Sequence, residues 1–179
     1  KISDKSIKQL SNNGLQHLAT FSPDGKTIAF VRDNNIFLVD VETNEEKQIT
    51  SDGKFNFIIN GAADWVYEEE FALKTAMQWS PDGKKLAFFR FDETNVKQFN
   101  MTFFKNELYP ENYAFKYPKA GEENSIVTIH VYDLASENTV KMDIGEETDQ
   151  YIARIKWTTD VNTLSMIRLN RLHNKREIL

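Results

Sequence analysis

Two ten-residue stretches repeat almost word for word. Phe21-Ser22-Pro23-Asp24-Gly25-Lys26-Thr27-Ile28-Ala29-Phe30 returns as Trp79-Ser80-Pro81-Asp82-Gly83-Lys84-Lys85-Leu86-Ala87-Phe88, 58 positions further on. Pro presets φ, Asp tolerates turn geometry and Gly supplies positive φ, so each Ser-Pro-Asp-Gly reads as a hairpin turn between two strands. A degenerate third copy runs from Trp157 to Met166, with the Pro and Gly gone. Repeats of about 40–50 residues with four strands each mark propeller blades. The second strand of each copy, Ile28–Val31 and Leu86–Phe89, is apolar at every position. That pattern fits a sheet covered on both faces by its neighbours.

The chain in order fills in the unit. Residues 1–14 are polar and read as loose. Strands follow at Gln16–Phe21, Lys26–Arg32, Ile36–Val41 and Glu46–Thr50, separated by turn residues such as Asp33-Asn34-Asn35. The expected fold is therefore all-β: a partial β-propeller with about two complete four-stranded antiparallel blades and part of a third. The blades are expected at about 15–50, about 75–141 and, as the partial one, 150–179. The excess spacing of the second marks two insertions: one short helix at 64–73, and a long arm at 92–124. A solenoid-like unit cannot bury its terminal faces alone, so apolar sheet surface and self-association are expected.

Composition bounds the chemistry. At net charge −5 no basic stripe marks a nucleic-acid partner. With no Cys there is neither a disulfide nor a thiolate metal site. His17, His130 and His173 lack metal-ligand spacing, so no metal is expected; His130 sits in an apolar strand pattern and reads as a packed core residue. No Gly-rich phosphate loop is present, and no cofactor is expected. No Gly-x-Ser-x-Gly nucleophile elbow occurs. Lys1-Ile2-Ser3 lacks an initiator Met and the end stops inside a continuing pattern, so the expectation is a piece of a longer protein.

The first insertion holds Asp64-Trp65-Val66-Tyr67-Glu68-Glu69-Glu70. Asp64 suits an N-cap, and carboxylates suit the positive end of a helix dipole. Successive helical residues lie about 100° apart, so two adjacent Glu can converge on a small ligand but three cannot. The plainer reading is a solvated acidic face with Glu70 paired to Lys74 at i, i+4. The arm carries Phe99, Phe103, Phe104, Tyr109, Tyr113, Phe115 and Tyr117. So aromatic a segment either folds over its own blade or meets a partner.

The heptapeptide, Trp79–Gly83, Phe91-Asp92-Glu93-Thr94 and Tyr117-Pro118-Lys119-Ala120-Gly121 together resemble the β-propeller of the dipeptidyl peptidase IV family, in order and with spacing kept. The lack of Cys is similar to bacterial rather than animal members. The resemblance implies a serine exopeptidase that removes N-terminal dipeptides with Pro or Ala second. In that family the propeller caps an α/β-hydrolase domain, and two carboxylates that match Glu69 and Glu70 bind the substrate's α-ammonium. An Arg near the pair would lie upstream of Lys1, and the catalytic Ser, Asp and His would lie downstream, so this piece is expected to be inactive alone. The arm, 92–117, resembles the extension that forms homodimers. The resemblance further implies peptide substrates with a free N-terminus and a periplasmic, secreted or cell-surface location. The rival is a non-catalytic propeller scaffold that binds proteins through the arm.

Overall fold

The computed structural model describes residues 5–179; residues 1–4, the start of the polar segment 1–14, lie outside the described residues. Four strands, β1 (His17–Phe21), β2 (Thr27–Arg32), β3 (Asn35–Asp40) and β4 (Glu46–Gln48), form an antiparallel meander in that order. The repeated tetrapeptide closes the first hairpin. Ser22 N–H donates to Thr27 O at 2.8 Å, and Gly25 N–H donates to Ser22 O at 2.9 Å with φ +71°. The Ser22 hydroxyl donates to the Asp24 carboxylate at 2.7 Å and accepts from Thr27 N–H at 3.0 Å. Ser80, Asp82 and Gly83 repeat every one of these bonds. At the third copy Thr158 N–H still donates to Thr163 O at 3.0 Å, so the hairpin survives without Pro or Gly.

The second sheet is built from β5 (Ile58–Asn60), β6 (Met77–Trp79), β7 (Lys85–Asp92), β10 (Ile126–Asp133) and β11 (Thr139–Lys141). Between β5 and β6 lies the one α-helix of the described residues, α1 (Trp65–Phe71); between β7 and β10 lie β8 (Gln98–Phe103) and β9 (Glu111–Lys116). Both β5 and β6 pair with the same edge of β7: Ile58–Asn60 opposite Arg90–Asp92, Met77–Trp79 opposite Leu86–Phe88. The sheet thus begins ahead of the expected position 75, at Ile58. A three-residue strand separated from its continuation by a helix leaves no periodic trace. Gly61 N–H to Phe89 O and Ala76 N–H to Gly61 O, both 3.0 Å, pinch the loop shut at its neck. Gly61 has φ +75°, and a Cβ there would stand 2.7 Å from Ile36 Cγ1.

The third sheet is β12 (Gln150–Trp157), β13 (Leu164–Asn170) and β14 (Arg176–Ile178). The second sheet is buried on both faces, as the all-apolar strands required. Ala29, Val31, Ile36 and Leu38 pack on Trp79, Leu86 and Phe88. On the other face Phe89, Phe91, Val127 and Ile129 meet Tyr151, Ile152, Met166 and the helix residues Val66 and Tyr67. The repeat's aromatic position links neighbouring sheets. Trp79 Nε1–H donates to Thr20 O at 3.1 Å and Trp157 Nε1–H to Gln78 O at 3.0 Å, each reaching back to the preceding sheet. The equivalent Phe21 is 61% exposed.

Two expectations need amendment. Residues 5–14 form no strand or helix, yet they are not all loose. Lys8 donates to the carbonyls of Val41 and Glu42 at 2.9 and 3.0 Å, and Leu10 packs on the Ile28–Phe30 cluster. The arm is a two-stranded antiparallel ribbon, Phe99 opposite Phe115, with every residue of β8 exposed. Its base and middle fold back: the Trp65 and Tyr117 ring centroids lie 4.2 Å apart, and those of Phe55 and Tyr113 6.0 Å apart.

Candidate functional site: an acidic helix at the mouth of a cleft

Helix α1 starts where the sequence places it. Asp64 is extended (φ −76°, ψ 175°) and its carboxylate accepts the Tyr67 N–H at 2.9 Å. Its other oxygen accepts the Ser125 hydroxyl at 2.6 Å. Burial raises the Asp64 pKa against the lowering effect of these two bonds. The helix ends at Ala72, which is left-handed (φ 50°, ψ 37°) and returns its N–H to Tyr67 O.

Tyr67 faces inward and organises the local core. Its ring lies 4.9 Å from Phe91, 5.1 Å from Phe71 and 6.1 Å from Tyr151, centroid to centroid. Its hydroxyl oxygen accepts the backbone N–H of Ile152 at 2.9 Å, and burial pushes its pKa up. The 3.6-residue period then turns the three Glu outward, and all are exposed. Glu68, not Glu70, takes Lys74, at 3.3 Å. The left-handed turn at Ala72 redirects the chain, so i, i+4 geometry does not reach Lys74. Glu69 and Glu70 make no ion pair among the described residues.

Glu70 borders a cleft of about 720 Å³ between the helix, the base of the arm and the third sheet. Trp65, Tyr117, Tyr151, Arg171 and His173 line it too, whereas Glu69 is not among its lining residues. Arg171 is held by Asp149 at 3.4 Å and by the Glu122 carbonyl at 2.7 Å. His173 sits edge-on to Tyr151, centroids 4.8 Å apart. Tyr151, Arg171 and His173 carry no local signal for this cleft, because they come from β12 and the turn after β13, eighty or more positions beyond the helix. His130 is half-buried and stacked on Phe88 at 5.5 Å; burial lowers its pKa.

Glu93, in the segment Phe91-Asp92-Glu93-Thr94, lies close to the helix cap. It is buried where β7 leaves the sheet, and its pKa is pushed up to about 7 by burial first and by the Asp64 charge second, with Lys116 opposing. No group of three or more His, Asp or Glu side chains among the described residues is placed to hold a metal ion.

The chain matches the family model for the dipeptidyl peptidase IV (DPP IV) N-terminal region over residues 1–179. The crystal structure of Porphyromonas gingivalis dipeptidyl peptidase 4 superposes with a TM-score of 0.91 at 46% identity, covering 96% of this chain and 24% of that one. "Probable dipeptidyl-aminopeptidase B" of Talaromyces stipitatus is 34% identical over 84% of this chain and 18% of its own length. "Prolyl endopeptidase FAP" of Bos taurus is 37% identical over 89% of this chain and 22% of its own. The chain thus spans about a fifth of the curated relatives it matches. Its hairpin repeat, its capped acidic helix and these likenesses agree: the chain belongs to the family of dipeptidyl peptidase IV N-terminal regions.

Proposed function

We propose that this chain is the propeller part of a serine exopeptidase that releases X-Pro and X-Ala dipeptides, with Glu69 and Glu70 clamping the substrate's α-ammonium. On this reading the first two sheets are blades and the third sheet is part of another. The observation that carries it is a pair of adjacent exposed carboxylates without a cation partner among the described residues, on a helix tied to the core, with Glu70 at the rim of a cleft.

The chemistry follows from the ligand. An α-ammonium has a pKa of about 7.7–8.0 and is largely charged at neutral pH. Carboxylates accept short, charge-assisted hydrogen bonds from it. Held there, the ammonium sets a fixed distance to the nucleophile, so the second peptide bond is presented for cleavage. A substrate without a free amine forgoes these charge-assisted contacts, which favours peptides with a free N-terminus. The clamp also gates access, and this part alone is inactive because the nucleophile lies elsewhere in the parent. The exposed apolar ribbon supports homodimer formation through the arm, 92–117. A periplasmic, secreted or cell-surface location completes the proposal.

In the full-length protein, Glu69→Ala and Glu70→Ala should each lower kcat/KM on a dipeptidyl-proline substrate by about 30-fold, the loss of one charge-assisted contact. An unchanged kcat/KM rejects the clamp. The second reading, a non-catalytic scaffold, draws on Phe104, Leu108 and Tyr109, all more than three-quarters exposed at the ribbon tip. It gains if the parent lacks a Gly-x-Ser-x-Gly motif downstream.

A further inference from the structure

A seven-residue helix does not hold its own geometry in water. Three polar ties from outside fix α1. Ser125 holds Asp64 at the start, Ile152 N–H holds the Tyr67 hydroxyl in the middle, and the Arg154 guanidinium donates to Phe71 O at 2.5 Å at the end. The last two come from one place on β12. There the pairing slips, from Ile152 opposite Arg168 to Arg154 opposite Ile167, so Ala153 is an extra residue. Bulges of this kind re-aim side chains and bend the strand. Arg154 also donates to Ala153 O at 2.6 Å, which braces its side chain against the bulge.

The Phe71 carbonyl is one of the acceptors that a helix leaves open at its C-terminus. The last turn of α1 holds no basic residue, so Arg154 supplies the cation that this end of the dipole favours. Glu69 and Glu70 are the two residues immediately before Phe71. A carboxylate about 6 Å from a helix axis moves about 2 Å when the turn twists by about 20°. That exceeds the width of the hydrogen-bond distance range.

We propose that Arg154 is a positioning residue for amine recognition: by tying the end of α1 to the bulge in β12, it sets the direction of the Glu69 and Glu70 carboxylates. The inference rests on the clamp reading above. It assigns a substrate-selectivity role to a residue on another sheet, more than eighty positions away.

The test uses the full-length parent and two anilide substrates, a dipeptide with its α-ammonium and the same compound with that group replaced by hydrogen. The readout is the ratio of their kcat/KM values. Arg154→Ala should raise KM for the ammonium substrate about tenfold with kcat nearly unchanged, and leave the desamino substrate unaffected, the mark of lost binding rather than lost chemistry. Arg154→Lys, which keeps a donor, should recover part of the ratio. Because Arg154 is exposed, its removal does not empty the core. Glu70→Ala in parallel sets the floor. If Glu70→Ala collapses the ratio and Arg154→Ala leaves it at the wild-type value, the positioning role is overturned and the clamp stands. A loss shared equally by both substrates also overturns it, since that is damage to the fold. If neither Glu69→Ala nor Glu70→Ala moves the ratio, the clamp falls and this inference with it.

Discussion

The second sheet carries two insertions, and they behave oppositely. The first, between β5 and β6, turns inward. Its neck is closed by strand-like bonds, and Tyr67 sinks into a core of Phe71, Phe89, Phe91 and Tyr151. The second, between β7 and β10, stands out as a ribbon. It is tied at its base, where Asn56 donates to Ala114 O at 3.1 Å and accepts from Lys116 N–H at 3.2 Å, while Phe104, Leu108 and Tyr109 at its tip face solvent. Two-stranded ribbons are marginal in water without a further surface. The difference is that one insertion sinks an aromatic anchor into the core, whereas the other is tied only below its exposed tip. The insertion with the anchor can present charges in a set direction. The insertion without one offers apolar area instead.

The largest expected effect comes from removing the anchor. Tyr67→Ala should cost about 3–5 kcal/mol, as for other buried aromatic deletions, and should release α1. Thermal unfolding of the parent, with hydrogen exchange of the 65–71 amides, checks this. A small loss with the helix still protected would mean that the polar ties suffice, and the contrast between the insertions would weaken.

Glu93 stands where the second insertion starts and feels Asp64, the cap of the first, along with Lys116 and Asp92. Its native pKa of about 7 lies above the ordinary 4.5. The native state therefore keeps a proton that the unfolded chain has lost between those values. The contribution of Glu93 to stability is fully present below about pH 4.5, declines through the window and is lost above about pH 7. A shift of this size corresponds to about 3 kcal/mol. Glu93→Gln should abolish that decline, measured as denaturation midpoints at pH 5 and pH 8. A decline that persists in the variant assigns the effect to other groups, the buried Asp64 first.

The smallest effect on stability belongs to the ribbon tip. Replacing Phe104, Leu108 and Tyr109 together by Ser should change the unfolding midpoint by less than the equivalent of about 0.5 kcal/mol, because no core is disturbed. It should weaken self-association of the parent, read by sedimentation. A marked loss of stability would show that the tip packs on the body of its own chain.

Local chemistry made much of this legible. The Ser-Pro-Asp-Gly hairpins, the strands between them and the Asp64 cap each depend on residues within five positions, and they formed where expected. The misreadings share a cause. The plainer alternative paired Glu70 with Lys74 by helical spacing, but a left-handed Ala72 ends the helix before that spacing applies. Ile58–Asn60 was missed because its partner, Arg90–Asp92, lies across the helix insertion. The cleft beside Glu70 was missed because Tyr151, Arg171 and His173 arrive on the third sheet.

What the amino-acid order settled alone was the sheet-forming repeat, the site where a helix begins, and which three carboxylates it carries. Those outcomes follow from backbone preference and short-range hydrogen bonds. The tertiary structure decided which carboxylates stay unpaired, how the helix is oriented and what surrounds it. Those depend on a buried tyrosine hydroxyl meeting a strand edge 85 residues away and on an arginine aimed by a bulge, contacts whose energy exists only after the sheets have stacked.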